Sequence, residues 1–436
     1  MDPLLSRREL LGALGAAAAL GPALGAAQTF PPDRIPVLSS DLWRWIGAQL
    51  VLEPGLAWFD TANFGPTLRA VLVSAYRGLE DQTLDFRDFD LQFGAEGPAL
   101  RAVLGAAGTF FGAVPGELAF TSGARSGLGL VAAGMDLQPG DEVLTSQFEH
   151  PAAVYPWLAQ SRRRGIRVVQ MPPADIPESA DAIMRRYAAA ITPRTRVLLI
   201  SHVRESDGTV LPVRELCTLA RGHGVLTVVD GTAAAGHVDV RLPDLGCDVC
   251  TLALDRWLNG PIDTGLLYVR REAQPVLWPL FPDRAEGWDP TDRFGQATAA
   301  ESPDFAAQRR YGNGISRRGP QLAAVPIAFE LQDSVARPRL QLRIRELARQ
   351  LREGLQRVHG LEILTPRNPS LNAGIVTFRV ATRAQEAMAD AIAHEDRIVL
   401  GRVRLGAAVD ALRVSLHPSN DPIDVDRCVA AIQRRV

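Results

Sequence analysis

Short apolar runs alternate with amphipathic stretches between about residues 118 and 269. The run Val197-Leu198-Leu199-Ile200 is apolar at every position, as expected of a strand that is buried on both faces of a sheet. Alternation of this kind predicts an α/β fold in which a mostly parallel sheet is flanked by helices. We predict strands at 118–121, 142–146, 167–171, 196–202, 225–230, 248–252 and 265–269, and helices at 126–135, 152–164, 180–190 and 213–223.

The pattern changes after this region. An irregular stretch rich in proline, glycine and tryptophan covers residues 274–311. Further elements are predicted as helices at 320–333 and 340–359 and as strands at 373–380 and 411–416. We therefore divide the chain into a large α/β domain with its N-terminal segment, residues 36–310, and a smaller C-terminal α+β domain, residues 311–436.

The first residues have the organisation of an export signal. Paired arginines, Arg7-Arg8, precede a mild apolar run from Leu10 to Leu24, and small residues follow at Gly25-Ala26-Ala27. The run is too short to cross a bilayer, and the paired arginines resemble a twin-arginine signal. We expect residues 1–27 to be this signal and the mature protein to be periplasmic or secreted, with its fold beginning near Pro36. An ordinary secretory signal or a short anchor is the alternative.

Composition and charge exclude several functions. Hydrophobic residues make up 47% of the chain, charged residues make up 22%, and the formal net charge is −2. Without a basic excess, we expect no nucleic-acid partner and no binding to a membrane surface. Lysine and arginine together number 47, and all of them are arginine. No side chain of this chain can therefore supply the primary amine of a lysine.

Cysteine and histidine give no sign of a metal site. The four cysteines are Cys217, Cys247, Cys250 and Cys428. Cys247 and Cys250 have CxxC spacing, but they fall in a predicted strand, where positions three apart point to opposite faces. We interpret them as core residues. The seven histidines lack paired ligand spacing, so we expect no bound metal.

Several segments occur in the order and at the spacing of a known family. They are Phe120–Ala124, Glu149–Ala152, Ile200–Val203, Gly208–Leu216, Val228–Gly231, Leu245–Asp248, Trp257–Pro261 and Leu412–Ser415. Together they resemble the class V aminotransferases, fold-type I pyridoxal phosphate (PLP) enzymes that include cysteine desulfurases and isopenicillin N epimerase-like proteins. The resemblance covers roughly residues 55–430, and the export signal adds a resemblance to a periplasmic, pyoverdine-tailoring branch.

The resemblance implies a seven-stranded sheet with PLP at the strand ends, in a homodimer with the site near its interface. Asp230 matches the aspartate that pairs with the pyridine nitrogen, which lets the ring accept electrons. His150 matches the residue stacked on the ring, and Arg413 matches the arginine that binds a substrate carboxylate. Asn63 lies where the family's N-terminal segment approaches the substrate. Each residue also has a structural interpretation, as a helix cap or a surface ion pair.

The cofactor motif departs from the family after the strand at 248–252. Ala253 stands where the family has a phosphate-binding hydroxyl, Asp255 stands for a histidine, and Arg256 stands for the Schiff-base lysine. A guanidinium stays protonated and has no lone pair to attack an aldehyde. Arg256 therefore cannot replace the lysine as a nucleophile. Asp255 would put a negative charge near the cofactor's phosphate.

Other motif positions differ as well. In the phosphate-binding turn, Gly123-Ala124 is retained, but Arg125 replaces the usual threonine. Ala233 replaces the glutamine or histidine three residues after the pyridine aspartate. Arg204-Glu205 replaces the Ser-Asn pair that would reach the ring hydroxyl. So many changes around one pocket indicate a cofactor site that has been released from constraint or rebuilt.

Two functions that retain the ligand pocket are compatible with these changes. The first is a binding protein or pseudoenzyme without covalent PLP, which takes a small amino-acid or carboxylate ligand. The second is an aminotransferase-, epimerase- or lyase-type enzyme acting on an amino-acid or peptidyl substrate with PLP held non-covalently. In the second, Arg125 would hold the phosphate, and Asp255, Glu205 or His150 would move protons.

Two further functions stay open. One is a cofactor-free enzyme in which Arg125, Arg204 and Arg256 bind an anionic substrate and Glu205 or Asp255 acts as the base. The other is an assembly partner of an active relative, with the aromatic residues Trp278, Trp288 and Phe294 at the interface.

Overall fold

The computed structural model describes residues 29–30, 34–94, 97–172, 176–177, 179–280, 306–312, 318–380, 384–404 and 410–436. The predicted signal, residues 1–27, and the aromatic residues Trp288 and Phe294 lie outside the described residues. Phe30 is already buried, and its amide donates a hydrogen bond to Glu330 Oε1 at 2.7 Å. Contacts with the folded chain thus include a residue before the predicted start near Pro36, and that start stays a prediction.

The predicted strands and helices between residues 118 and 269 agree with the structure to within about two residues, whereas the helices before residue 118 and three strands were not predicted. The strands are β1 Ala57–Phe59, β2 Leu118–Thr121, β3 Glu142–Ser146, β4 Arg167–Met171, β5 Thr195–Ser201, β6 Leu226–Asp230, β7 Val249–Ala253, β8 Gly265–Val269, β9 Leu361–Ile363, β10 Ile375–Val380, β11 Ile398–Val403 and β12 Ala411–Ser415. The helices are α1 Ser39–Gln49, α2 Arg69–Leu84, α3 Phe86–Phe93, α4 Pro98–Phe111, α5 Ala124–Gly134, α6 Pro151–Arg164, α7 Ala180–Ala190, α8 Val213–Gly222, α9 Leu242–Leu245, α10 Ala306–Tyr311, α11 Gly319–Val335, α12 Arg337–Leu355, α13 Gln385–Asp396 and α14 Pro422–Gln433.

The larger sheet has seven strands in the order β2-β8-β7-β6-β5-β3-β4. All neighbours in it are parallel except for β8, which runs antiparallel to β2 and β7. The prediction of a mostly parallel seven-stranded sheet is confirmed. Connections through helices place the carboxyl ends of the parallel strands on one edge, where ligands of such sheets bind.

Strand β5 shows why the apolar run is continuous. Leu198 and Ile200 pack into the core on one face of the sheet, and Val197 and Leu199 pack into the core on the other face. All four side chains are fully buried. A strand covered by helices on both faces has no side that must be polar.

The smaller sheet has the order β1-β11-β12-β10-β9. Strand β1, from the N-terminal segment, pairs in parallel with β11, with Ala57 opposite Ile398. The sequence analysis did not predict β1, because three residues are too few to show a period. The smaller sheet therefore contains chain from both sides of the predicted boundary at residue 310. No described helix is long and apolar enough to cross a membrane.

The four cysteines are free and buried, which confirms that they are core residues. The expectation that Cys247 and Cys250 point to opposite faces is wrong. Cys247 lies before β7 begins at Val249, so the alternation of a strand does not apply to it. A hydrogen bond with Cys250, together with burial, raises the pKa of the Cys247 thiol well above its usual value.

Candidate functional site

Asp230 ends β6 at the carboxyl edge of the larger sheet and is buried. Its Oδ1 accepts hydrogen bonds from the Thr232 amide at 2.9 Å and from Thr232 Oγ1 at 2.5 Å. Burial raises the pKa of Asp230, and the bonds from Thr232 oppose this shift. The carboxylate is therefore held in one orientation at the point where the strand ends.

Two histidines lie near the end of β6. His150 caps the N-terminus of α6, where its Nδ1 accepts a hydrogen bond from the Ala152 amide at 3.0 Å, and it lies near enough to the Asp230 carboxylate to interact with it electrostatically. His202 follows β5, and its amide donates to the Asp230 carbonyl at 2.8 Å. Burial lowers the pKa of His202 to about 4, so it is neutral at pH 7. The sequence analysis quoted His202 in a motif but gave it no role.

The turn before α5 is shaped for close backbone approach. Gly123 has a φ of 81°, and its carbonyl accepts a hydrogen bond from Thr121 Oγ1 at 3.0 Å. A Cβ added to Gly265 on the neighbouring β8 would lie 2.5 Å from the Gly123 carbonyl carbon, so glycine is required there. Ala124 and the exposed Arg125 begin the helix. The first amides of a helix have no acceptor within it and attract anions.

Asp255 and Arg256 form a self-contained turn after β7. Asp255 Oδ2 accepts a hydrogen bond from the Asp263 amide at 3.0 Å, and its Oδ1 lies 3.7 Å from Arg256 Nε. Burial raises the pKa of Asp255, and the charge of Arg256 opposes this shift. The Arg256 guanidinium lies 5.3 Å from the centre of the Phe64 ring. A Cβ on Gly65 would lie 1.8 Å from the Arg256 carbonyl oxygen, so two backbone segments are packed together here.

Arg413, on β12, is held between two carboxylates. Its Nη2 donates to Asp60 Oδ1 at 2.8 Å, and its Nη1 donates to Glu205 Oε2 at 3.2 Å and to the Glu205 carbonyl at 3.3 Å. Burial alone would lower the pKa of Arg413, but the two carboxylates raise it. At Asp60 burial outweighs the arginine, and the pKa of that carboxyl is raised. Asp60 had no role in the sequence analysis.

A cleft of about 710 Å³ lies between the edge of the larger sheet and the smaller sheet. It brings together several of the residues that the sequence analysis selected, namely Asn63, His150, Glu205 and Arg413. Gly123, Ala124, Arg125, Asp230, Asp255 and Arg256 are not among the residues that line it. The phosphate turn and the turn that carries Arg256 therefore do not contribute to the lining of this cleft.

Arg204 and Glu205 are adjacent in sequence but belong to different clefts. Glu205 lines the first cleft, and Arg204 lines a second one of about 900 Å³. Arg204 is buried, lies 5.1 Å from the centre of the Phe148 ring, and pairs with Asp207 at 3.3 Å. Arg125 is exposed at the start of α5. Arg204 is therefore engaged away from the first cleft, which removes support for a cofactor-free pocket shared by the three arginines.

Glu149 is a buried acid that the sequence analysis did not select. Ser146 Oγ donates to its Oε1 at 2.9 Å, and Ser201 Oγ donates to its Oε2. Burial raises the pKa of Glu149, and the charge of Arg204 opposes this shift. The sequence contained one signal for this acid, because Glu149 stands beside His150 and serines end both β3 and β5.

The sequence comparisons decide the family. A profile of the class V aminotransferases matches residues 105–428. An isopenicillin N epimerase of Amycolatopsis lactamdurans is 30% identical over 409 residues, which cover 90% of this chain and 98% of that protein. This chain belongs to the class V aminotransferase family. An isopenicillin N epimerase of Streptomyces clavuligerus is 28% identical over 407 residues, covering 89% of this chain and 97% of that one.

Solved structures share the class V aminotransferase fold. The cysteine desulfurase CsdA of Escherichia coli superposes with a TM-score of 0.73 at 20% identity, covering 93% of this chain and 98% of that one. A lysine-to-alanine mutant of C-DES, with glycine covalently linked to the PLP cofactor, gives a TM-score of 0.74 at 21% identity, covering 87% of this chain and 97% of that one. The fold-type I architecture is therefore shown.

The residues present fit part of the family's cofactor. Among the described residues, no side chain fills the space beside Gly123, so the turn before α5 has room for a phosphate. Thr232 engages one oxygen of Asp230, which leaves the other for a pyridine nitrogen. The sequence analysis matched Arg256 to the family's Schiff-base lysine, and a guanidinium has no amine that could attach an aldehyde. Among the described residues, no group of three His, Cys, Asp or Glu side chains could hold a metal ion.

Proposed function

We propose that this protein uses the class V aminotransferase fold as an exported small-molecule binding protein, a pseudoenzyme without lysine-dependent PLP catalysis. One observation carries the proposal: the chain contains no lysine, and arginine occupies the position of the Schiff-base residue. The guanidinium of Arg256 is planar, delocalised and always charged. It can bind an anion or stack on Phe64, and it cannot attach an aldehyde.

The neighbours of Arg256 support the proposal that an arginine belongs at this position. Its backbone is packed against Gly65, and its side chain pairs with Asp255 and covers the ring of Phe64. An arginine introduced without compensation would leave a longer side chain and a buried charge unaccommodated. Here Asp255 and the Phe64 ring lie beside the guanidinium, while Nε and Nη1 are buried without a hydrogen-bond partner among the described residues.

Export belongs to the same proposal. The paired arginines Arg7-Arg8 and the apolar run to Leu24 support it, since this organisation directs folded proteins across the bacterial inner membrane.

A second candidate function has its own support. Gly123 leaves room for a phosphate, and Asp230 and His150 are retained. When bound, PLP would supply a ring that accepts electrons from a substrate. In the C-DES mutant that lacks its lysine, PLP is present with glycine covalently linked to it. A class V protein without a lysine could thus hold PLP that arrives joined to an amino acid.

The experiment is PLP binding to the purified mature protein. The proposal predicts no saturable binding and no borohydride-stable adduct at residue 256, read by absorbance and by peptide mass mapping. Mapping matters because the N-terminal amine can also react with an aldehyde. Binding that requires the phosphate, shown by comparison with pyridoxal, would overturn the binding-protein proposal in favour of the second candidate.

An Arg256→Lys variant tests whether the pocket keeps its shape. If the cofactor turn is intact, this variant gains a borohydride-stable adduct that maps to residue 256. The matched control is Arg357→Lys, which places a lysine on an exposed part of the chain. It should gain no adduct at residue 357 under the same conditions. An equal gain in both variants would show only the reactivity of any introduced lysine.

A further inference from the structure

We propose that Glu205 and Asp60 occupy the Arg413 guanidinium in place of a ligand carboxylate, so that the cleft selects ligands that carry an amine and lack an α-carboxylate. The inference rests on the proposed function, because it assumes that this cleft binds a small molecule. It replaces the expectation that Arg413 holds an amino-acid or carboxylate ligand. It also gives a role to Glu205, one of the residues by which this chain departs from the family pattern.

Two of the three nitrogens of Arg413 already donate to carboxylates. A carboxylate binds arginine best through two parallel N–H groups on one edge of the guanidinium. Nη2 is bonded to Asp60 at 2.8 Å, and Nη1 is bonded to Glu205 at 3.2 Å. Nε is buried beside Gly401 of β11 and has no hydrogen-bond partner among the described residues, so this edge is closed to an incoming carboxylate. An incoming carboxylate must therefore displace one of two carboxylates that are already in place.

Glu205 is fixed in this position by its neighbours in sequence. Arg204, on one side, is buried against Phe148 and paired with Asp207. Ser206, on the other side, donates through its Oγ to the Phe148 carbonyl at 2.9 Å. The two anchors hold the loop after β5, so that Glu205 faces the first cleft while Arg204 faces the second.

Next to Arg413, carboxylates outnumber the single positive charge of the guanidinium, although the whole lining of the cleft has three acids and three arginines. Asp60 and Glu205 carry two negative charges against one positive charge on Arg413, and Asp230 lies close enough for its charge to interact with that of Glu205. Two more arginines line the cleft. Arg402 is paired with Asp390, and Arg404 is paired with Glu386 at 2.7 Å.

Aromatic side chains complete a site for an ammonium group. Trp58, Phe148 and Tyr155 line the same cleft. A protonated amine is attracted to the face of an aromatic ring as well as to a carboxylate. An amine ligand can therefore bind without breaking the ion pairs of Arg413, whereas a carboxylate ligand cannot.

The test compares two probes that differ in one group. L-Alaninamide carries an ammonium and no carboxylate, and L-alanine carries both. Isothermal titration of the purified mature protein should show alaninamide binding at least about tenfold more tightly, since a hydrogen bond to a charged group is worth about a factor of ten or more. In Glu205→Gln the ratio should shift toward alanine by about tenfold, because a neutral amide competes with an incoming carboxylate for Arg413 less strongly than the Glu205 carboxylate does.

Two further variants keep the result interpretable. Glu205→Asn restores the residue type of the family at this position and should shift the ratio in the same direction. Glu215→Gln removes an exposed carboxylate on α8 and should leave the ratio unchanged. Tighter binding of alanine to the unaltered protein, a ratio that Glu205→Gln leaves within twofold, or binding of neither probe to any variant would each overturn the inference. PLP binding is a separate measurement, so failure of the proposed function would be recognised independently.

Discussion

Removing Arg413 should be among the most damaging single substitutions in this protein. Arg413→Met keeps the length of the side chain and deletes its charge. Asp60 and Glu205 would then face each other without a cation between them, with side chains only 10% and 15% exposed. Two buried carboxylates cannot both remain ionised at close range without a large free-energy cost.

The structure gives the size and the pH dependence of this loss. Breaking a buried ion pair by removing one partner costs about 3–5 kcal/mol, and we expect about 4 kcal/mol here. The pKa of Asp60 is already raised in the folded protein, and loss of the arginine raises it further. A carboxyl whose folded pKa exceeds its unfolded pKa loses stability as the pH rises and regains it as the pH falls. The deficit of Arg413→Met should therefore shrink between pH 7 and pH 5.

Urea unfolding of the unaltered protein and of three variants measures these effects. The variants are Arg413→Met, Asp60→Asn with Glu205→Gln, and the three substitutions together. The triple variant should recover at least half of the loss, because no unpaired charge remains in it. A loss below about 1 kcal/mol, or a loss that neither acid nor the triple variant relieves, would refute the argument from buried charge.

Two more predictions concern packing and titration. Gly265→Ala places a Cβ 2.5 Å from Gly123, and overpacking of this kind should cost about 1–3 kcal/mol in thermal unfolding. In the matched control Gly129→Ala the Cβ meets no atom within 4 Å, so an equal loss there would contradict the steric reasoning. Burial lowers the pKa of His237 to about 3, so the stability of the protein relative to His237→Gln should fall by about 1.4 kcal/mol per pH unit from pH 6 to pH 4. If the free energies of unfolding of the two proteins changed equally with pH, this prediction for His237 would be contradicted.

The larger sheet could be predicted because its signal is local. Strand β5 is apolar throughout, and strand β6 ends in Asp230, so a short window of sequence contains the information. Strand β1 has three residues, and its partner Ile398 lies more than 300 positions away along the chain. No pattern within a short window connects them. Asp60 was missed for the same reason, since its role depends on Arg413, 353 positions further along the chain.

The sequence also could not predict the directions in which side chains of loop residues point. Arg204-Glu205 was recognised as a departure, but the sequence could not show that its two side chains enter different clefts. Strand alternation predicts direction only within a strand. The same limit produced the error at Cys247, which precedes β7 and contacts Cys250.

The positions of the strands along the chain determine when each sheet can form during synthesis. Every strand of the larger sheet lies between Leu118 and Val269, whereas the smaller sheet joins Ala57–Phe59 to strands as late as Ala411–Ser415. The larger sheet can form while the ribosome is still adding the last third of the polypeptide, but the smaller one needs nearly all of it. Since Asp60 and Arg413 both belong to the smaller sheet or its edge, a nascent or truncated chain has no ligand cleft.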